Sequence, residues 1–277
     1  MKSVHLINAG CFYADGGALF GATPQSAWQR RYPCNEQNRC ILAMNAGLVI
    51  TDNQRIILID NGVGNKQLDQ LKSTTYQFFN LTDLNEAIRQ YGITAEQVTD
   101  VVLTHLHFDH CGYTTKKENG QISLSFPNAA CWVSKAQWEN SISPNALEMD
   151  SYFRENMQAV EQAGQLKLIE QDCELCEHVA LRIYNGHTVG QITPYIETAH
   201  QVFVFAGDVV PIAAQISPKW ISAYDIYPLT SYHEKMRLLN DAAENNYAVI
   251  YYHDAYTPCT TIKRINNFFK VDKKIAI

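Results

Sequence analysis

An α/β sandwich with its helices outside is what this 277-residue chain predicts, on three observations. Apolar runs of strand length fall into two groups, and each group is followed by stretches with helical start signals. A hydrophobic content of 46 % fills a sizeable core at this length. No Pro/Gly/Ser-rich linker, low-complexity stretch, internal repeat or block of like charge divides the chain, so one domain over residues 1–277 is expected.

Taken in order, residues 16–40 read as a long polar loop punctuated by Gly and Pro, carrying Phe20, Trp28 and Tyr32. Residues 41–50 and 55–60 read as strands joined by the polar turn Thr51-Asp52-Asn53-Gln54. A short helix is expected at 83–91, with Thr82 as N-cap and Gly92 as stop. Thr94-Ala95-Glu96-Gln97 has the capping-box pattern ahead of an apolar run at 100–104 that reads as a buried strand. Residues 130–133 form a strand, and 134–137 repeat the capping box at the start of a helix. The longest helical candidate spans 145–163, followed by strands at 166–169, 179–184, 191–197 and 202–205. Residues 231–234 cap a helix with Met236, Leu239 and Ala243 at i, i+3, i+7 spacing, and 247–251 is the last strand.

The net charge of −6 and a pI near 5.8 lack the basic footprint of a nucleic-acid binder and disfavour an anionic membrane surface. The first ten residues hold one Lys and no apolar stretch long enough for export, and no apolar run approaches the length of a bilayer span. A cytoplasmic chain is therefore expected, with its eight cysteines reduced. Cys173 and Cys176 form a lone C-x-x-C, read as two thiols in a loop before a strand.

The most informative segment is His105-Leu106-His107-Phe108-Asp109-His110, an H-x-H-x-D-H cluster just after the buried strand. In extended backbone His105, His107 and Asp109 share one side and His110 turns the other way, so the cluster can face two metals rather than one. Three further candidates each follow a strand: His187 in Gly186-His187-Thr188, Asp208 in Ala206-Gly207-Asp208, and His253 in Tyr252-His253-Asp254. Strand-end loops are where a rigid scaffold presents functional groups. Imidazole nitrogen and carboxylate oxygen suit Zn²⁺, and two metals about 3.5–4 Å apart lower the pKa of a shared water to about 7. Asp60 is either a partner for a metal-bound His or a turn former before Asn61-Gly62.

In this order the residues resemble the metallo-β-lactamase-fold hydrolase superfamily, whose pattern is H-x-H-x-D-H, then His, Asp and His at strand ends. The resemblance covers nearly the whole chain. It implies a four-layer αβ/βα sandwich, two central mixed β-sheets flanked by helices. It also implies two Zn²⁺ per chain, with Mn²⁺, Fe²⁺ or Co²⁺ as alternatives. His105, His107 and His187 would hold the first metal, Asp109, His110 and His253 the second, with Asp208 bridging. Asp109 would also be the catalytic group that relays a proton to the leaving group. His107 stands where the oxygen-reducing diiron branch carries a Glu, which favours hydrolysis over a flavodiiron-type oxidoreductase.

The spacings His187 to Asp208 and Asp208 to His253 look like those of acyl-homoserine-lactone lactonases and related organophosphate-hydrolysing enzymes. Four stretches, residues 15–21, 33–38, 223–228 and 252–255, are similar to probable quorum-quenching lactonases of Gram-positive bacteria. The implied activity is opening of a lactone or similar carboxylic ester, N-acyl-homoserine-lactone-like, by metal-bound hydroxide. Phosphotriester hydrolysis at the same centre is the alternative, and acidity disfavours a nucleic-acid-processing member. One departure stands out: such lactonases carry a Tyr three residues after the bridging Asp, where this chain has Pro211. Tyr224 or Tyr227 is the candidate to supply that hydroxyl, a packed tyrosine being the plainer alternative. Phe20 and Phe108 are candidate apolar wall residues for a small-molecule lactone or ester, with core packing as the alternative. A homodimer is the implied assembly.

Overall fold

The computed structural model describes residues 3–71 and 76–277; Met1 and Lys2 of the N-terminal stretch lie outside the described residues. The first part of the chain lays down β1 (Ser3–Asp15), β2 (Arg39–Ile50), β3 (Ile56–Ile59), β4 (Gln77–Phe79), β5 (Asp100–Val102), β6 (Thr115–Glu118), β7 (Gln121–Leu124), β8 (Ala130–Ser134) and β9 (Leu166–Ile169). The second part adds β10 (Cys173–Cys176), β11 (Val179–Tyr184), β12 (Gln191–Glu197), β13 (Val202–Phe205), β14 (Ala248–Ile250), β15 (Cys259–Ile265) and β16 (Phe268–Lys274). The helices are α1 (Gly16–Phe20), α2 (Gln25–Trp28), α3 (Leu68–Leu71), α4 (Leu84–Arg89), α5 (Phe108–Cys111), α6 (Lys135–Ile142), α7 (Gln158–Gln162) and α8 (Pro228–Glu244).

Two seven-stranded sheets result, β4-β1-β2-β3-β5-β8-β9 and β10-β11-β12-β13-β14-β15-β16, with β6 and β7 as a separate hairpin. Both are mixed: β3, β5, β8 and β9 are parallel neighbours in the first, β13 and β14 in the second. Parallel strands are covered on both faces, and β5, Asp100-Val101-Val102, is buried throughout. α4 packs on β1, α6 on β8 and α8 on β15, which completes the expected four-layer αβ/βα sandwich. One apolar cluster runs from Ile7 in β1 through Leu58 and Val102 to Phe205 and Ile250, so both sheets share a core. Among the described residues no helix is long and apolar enough to cross a membrane.

Several elements differ from the expected ones. Residues 3–15, left unassigned, form the long strand β1; it pairs with β2 and β4, and its burial lacks a clean alternation. Residues 16–40 are folded, not looped. α1 and α2 stack Phe20 on Trp28 with 4.7 Å between ring centroids, and both rings and Tyr32 are buried. Aromatic stacking in a polar segment supplies the burial that aliphatic periodicity would have signalled. The helix at 83–91 is the shorter α4, capped by Asp83 in place of Thr82: its Oδ1 accepts from the Asn85 and Glu86 amides at 2.8 and 3.3 Å.

The capping box at 94–97 closes a 3₁₀ turn, Gln97 Oε1 accepting from the Thr94 amide at 2.8 Å. At 134–137 only half of the box forms. Ser134 Oγ accepts from the Gln137 amide at 3.0 Å, while the Gln137 side chain turns inward to the Leu106 amide and Thr188. The 145–163 segment breaks into 3₁₀ turns at Met149–Ser151 and Arg154–Asn156 before α7. Glu148 is drawn into the interior by four side-chain donors, which takes the chain out of helical register. Cys173 and Cys176 are free thiols in the edge strand β10, not in a loop.

α8 starts at Pro228, three residues before the expected cap; Pro suits a first helical position because its missing N–H has no partner there anyway. Its buried stripe is Ser231, Lys235, Leu238, Leu239 and Ala242, with Met236 and Ala243 half-buried beside it. The Glu234 carboxylate accepts from the Asn185 and Gly186 amides at 2.8 Å each, which fixes the loop carrying His187. Gly186 is required there: a Cβ would lie 2.4 Å from the Ser231 backbone. The strand at 247–251 is not the last, because β15 and β16 follow with many charged residues that mask their period.

Candidate metal centre

Every candidate ligand sits just beyond a strand, so the centre lies where strand ends of both sheets meet. His105 and His107 follow β5 in non-helical backbone, with His107 (φ −63, ψ 149) preceding the first residue of α5. Asp109 and His110 therefore stand on a helical turn, and the extended alternation expected across the motif stops at His107. His187 follows β11, Asp208 follows β13 and His253 follows β14. The structure brings all seven together in three overlapping groups: His105, His107 and His187; His105, His110 and Asp208; Asp109, His110 and His253. Within each group the candidate ligand atoms lie within 4.8 Å of one another.

The outward ring nitrogens decide the proton positions. His253 Nδ1 lies 2.8 Å from the Ala43 carbonyl, which can only accept, so Nδ1 carries the proton. His110 Nδ1 meets Asp60 Oδ2 at 2.8 Å, and His187 Nδ1 meets Asp225 Oδ1 at 3.0 Å. His107 Nε2 faces Glu148 Oε2 at 3.5 Å, and His105 Nδ1 is 3.0 Å from Thr104 Oγ1. Carboxylates behind imidazoles fix the tautomer and raise the basicity of the opposite nitrogen.

The inward nitrogens are then lone pairs aimed at one another. His110 Nε2 and His253 Nε2 are 3.2 Å apart, and His107 Nδ1 is 3.0 Å from His105 Nε2 and 3.3 Å from His187 Nε2. Asp208 spans both sets: Oδ1 is 3.4 and 3.3 Å from the Nε2 atoms of His110 and His253, and Oδ2 is 3.4 Å from His187 Nε2. Asp208 Oδ1 is buried and has no hydrogen-bond donor among the described residues. Facing nitrogens tolerate one another only with a proton or a cation between them, and a buried orphan oxygen costs about 1–3 kcal/mol. Cations remove both penalties. The donor set of five imidazoles and two carboxylates fits a pair of divalent ions of the zinc type.

The electrostatics agree. Burial disfavours the His110 imidazolium, yet Asp208, Asp60 and Asp109 together raise its pKa well above the ordinary value, a measure of the field at the centre. Burial and the neighbouring His110 and His107 hold His105 well below its ordinary value, leaving it a neutral donor. Burial opposes ionisation of Asp208, but His253, His110 and His187 pull its carboxyl well below the usual range. Glu148, despite partial desolvation, is held at about 2 by hydrogen bonds from His107, Asn140 and Thr188.

A cavity of about 220 Å³ opens on the centre. His107, Asp109, His187, Asp208 and His253 reach it, and Phe12, Leu19, Leu42, Phe108, Leu147 and Ile226 give it apolar walls. Of the expected substrate contacts, Phe108 and Tyr224 line it, and so does Pro211 at the position where a Tyr was looked for. Phe20 does not: it is fully buried between Trp28 and Trp220, and its neighbour Leu19 reaches the cavity. Tyr227 is 42 % exposed and also lies off the wall. The hydroxyls of Tyr224 and Tyr76 hydrogen-bond each other on the cavity wall. Phe20→Ala is expected to cost about 3–5 kcal/mol of stability in chemical denaturation while leaving metal content unchanged. Loss of bound metal would instead tie Phe20 to the centre.

Sequence reasoning missed Tyr76, Glu148 and Asp225. Asp225 lies in the 223–228 stretch, but nothing local distinguishes a partner for His187 from a turn residue. Glu148 sat inside the segment read as helix. It accepts from Asn145 Nδ2 at 2.7 Å, Thr188 Oγ1 at 2.8 Å, and Asn140 Nδ2 and Tyr152 Oη at 2.9 Å each. Glu148→Gln should weaken zinc binding by about 10- to 100-fold in chelator competition, since the amide offers His107 a poorer acceptor. Unchanged affinity would restrict Glu148 to organising its own loop.

Comparison with known proteins places this geometry. Residues 43–113, which include the H-x-H-x-D-H motif, match the metallo-beta-lactamase superfamily model. No curated protein matches the sequence. A probable metal-dependent hydrolase from Staphylococcus aureus is 28 % identical, with a TM-score of 0.87 over 99 % of this chain and 98 % of that one. AidC, a dizinc quorum-quenching lactonase in complex with a product, superposes with a TM-score of 0.80 at 18 % identity, over 99 % of this chain and 95 % of that one. An N-acyl homoserine lactone hydrolase, with the product N-hexanoyl-L-homoserine at its catalytic metal centre, gives 0.71 at 19 % identity, over 91 % and 93 %. Residues 43–113 thus carry the sequence pattern of the metallo-β-lactamase superfamily, and the fold matches that of the Staphylococcus aureus hydrolase across nearly the whole chain.

Proposed function

We propose that the protein is a dinuclear-metal hydrolase that opens a lactone or similar carboxylic ester, with an N-acyl-homoserine-lactone-like compound as the substrate class. The observation that carries this reading is a single cavity with a polar floor of candidate metal ligands and apolar walls. The floor suits a hydrolysable carbonyl, and Phe12, Leu19, Leu42 and Phe108 suit an acyl arm. The lactone-product complexes among its structural neighbours support the same class.

A divalent pair, when bound, supplies a water nucleophile at neutral pH and polarises a carbonyl oxygen. The chain's own residues do the rest. Asp208 fixes the distance between the two ligand sets through its two oxygens. Asp109, whose Oδ2 lies 3.5 Å from His253 Nε2, takes the proton from the attacking water and returns it to the leaving alkoxide oxygen. Tyr224, on the wall, orients the ring or amide end of the substrate through its hydroxyl.

The test is a substrate panel for the zinc-loaded protein: acyl-homoserine lactones, aryl esters and a phosphotriester, each against a His105→Ala control. Metal-dependent lactone opening at a kcat/KM of about 10⁴ M⁻¹s⁻¹ or more supports the reading. A preference for the phosphotriester would replace the substrate class, and activity retained by His105→Ala would remove the metal centre from the chemistry.

A further inference from the structure

The C-terminal hairpin presents a surface that the acidic balance of the whole chain conceals. β15 and β16 are joined by a two-residue turn with Asn266 at φ 55. Their register pairs Ile265 with Phe268, Arg264 with Phe269, and Lys263 with Lys270. Alternation puts Ile265, Phe268, Lys263 and Lys270 on one face. Phe268 is 69 % exposed and Ile265 41 %. Water thus meets an apolar pair at the tip, with two cations directly opposite each other behind it, an arrangement that destabilises a hairpin. Asp272 relieves Lys263 at 2.7 Å, and Lys270 has no such partner among the described residues.

Next to the tip, a groove of about 970 Å³ is lined by Arg31, Lys219, Arg264, Lys270 and Lys274, together with Phe268, and by no carboxylate. None of these five cations is in an ion pair among the described residues. Arg31 lies over the Trp220 ring at 4.5 Å, and Arg264 donates to Asn240 Oδ1 at 3.0 Å, so neither charge is neutralised. Five cations around one groove, none in an ion pair among the described residues although Lys274 feels the Asp254 carboxylate, are a strong local asymmetry in a chain of net charge −6.

We propose that this face docks on an anionic lipid surface, with Phe268 and Ile265 entering the headgroup region and the cations meeting lipid phosphates and carboxylates. A two-fold dimer through the groove would set like charges against each other. An acidic peptide in the groove would leave the projecting tip in water, and a nucleic acid would give the aliphatic Ile265 nothing to stack on. A lipid interface satisfies tip and groove together. Each cation near such a surface contributes about fivefold in affinity, so five reach roughly three-thousandfold. The inference is independent of the metal centre.

The experiment is co-sedimentation of the full chain with phosphatidylcholine vesicles, pure or carrying about 30 % phosphatidylserine. Binding is expected only to the serine-containing vesicles, and should be lost at about 0.5 M salt. Lys270→Glu should weaken it by more than tenfold, on the order of two charge steps, and Phe268→Ser should weaken it without altering its salt dependence. Both side chains are exposed, so the thermal midpoint and zinc content should stay at wild-type values. Absence of binding, or binding independent of phosphatidylserine, overturns the proposal. So does a solution dimer that Phe268→Ser dissociates, or preferential capture of single-stranded RNA in a competition with the vesicles.

Discussion

Asp208→Ala is expected to lower the metal content from two ions per chain to one or fewer and to reduce turnover by at least about a thousandfold. The size of the effect follows from its two-sided contacts. One oxygen faces His110 and His253, the other faces His187, and no other carboxylate spans the two imidazole sets in the described structure. Alanine leaves the Nε2 lone pairs of His110 and His253 facing each other at 3.2 Å with less negative charge to hold a cation between them. Elemental analysis after dialysis, paired with kcat/KM on whichever substrate the panel selects, reads both consequences. Wild-type stoichiometry in the variant would end the dinuclear assignment.

Asp60→Asn should be the most damaging substitution outside the ligand set. Asp60 is fully buried and accepts from the Thr104 amide at 2.7 Å, the Thr104 hydroxyl at 2.8 Å and His110 Nδ1 at 2.8 Å. Burial raises its carboxyl above the ordinary value, and His110 and Thr104 oppose that rise. An asparagine amide has one oxygen for donors on both sides, so its NH₂ must face another N–H or O–H. The expected cost is about 3 kcal/mol or more, because a buried partner is left unpaired. That corresponds to a fall of about 6 °C or more in thermal midpoint. Zinc affinity should also fall about 10- to 100-fold, because His110 loses the contact that sets its tautomer. Differential scanning calorimetry and chelator competition report the two effects separately. If both stay at wild-type values, Asp60 is a turn residue and no more.

The seven ligand candidates were legible because metal chemistry needs a short list of side chains at strand ends, and those residues are rare enough to stand out in sequence. The fold followed from apolar runs such as 41–50, buried from Leu42 to Val49, and 202–205, buried at Val204 and Phe205. What escaped notice was set by distant contacts. Glu148 is inward because Asn140, Tyr152 and Thr188 converge on it, and no local pattern encodes that convergence. The hairpin β15–β16 was hidden by the same charges that make it unusual, since Lys263, Arg264, Lys270 and Lys273 interrupt its apolar alternation. Phe20 was misplaced by one residue: the segment does approach the cavity, but through Leu19.

The division of the chain into two sheets carries a consequence for how the molecule comes into being. His105, His107, Asp109 and His110 belong to the part that ends at Ile169, and His187, Asp208 and His253 to the part that begins at Cys173. Neither part alone has a complete set, and the seam between them is stitched by backbone bonds such as Ile192 N–H to the Thr104 carbonyl at 2.7 Å and Ala43 N–H to the His253 carbonyl at 3.0 Å. As the chain emerges from synthesis, the first sheet can be finished while the centre is still unbuilt. A centre of all seven candidate ligands therefore exists only once both parts have folded, and an ion seated there would be a clasp that resists the parting of the two halves.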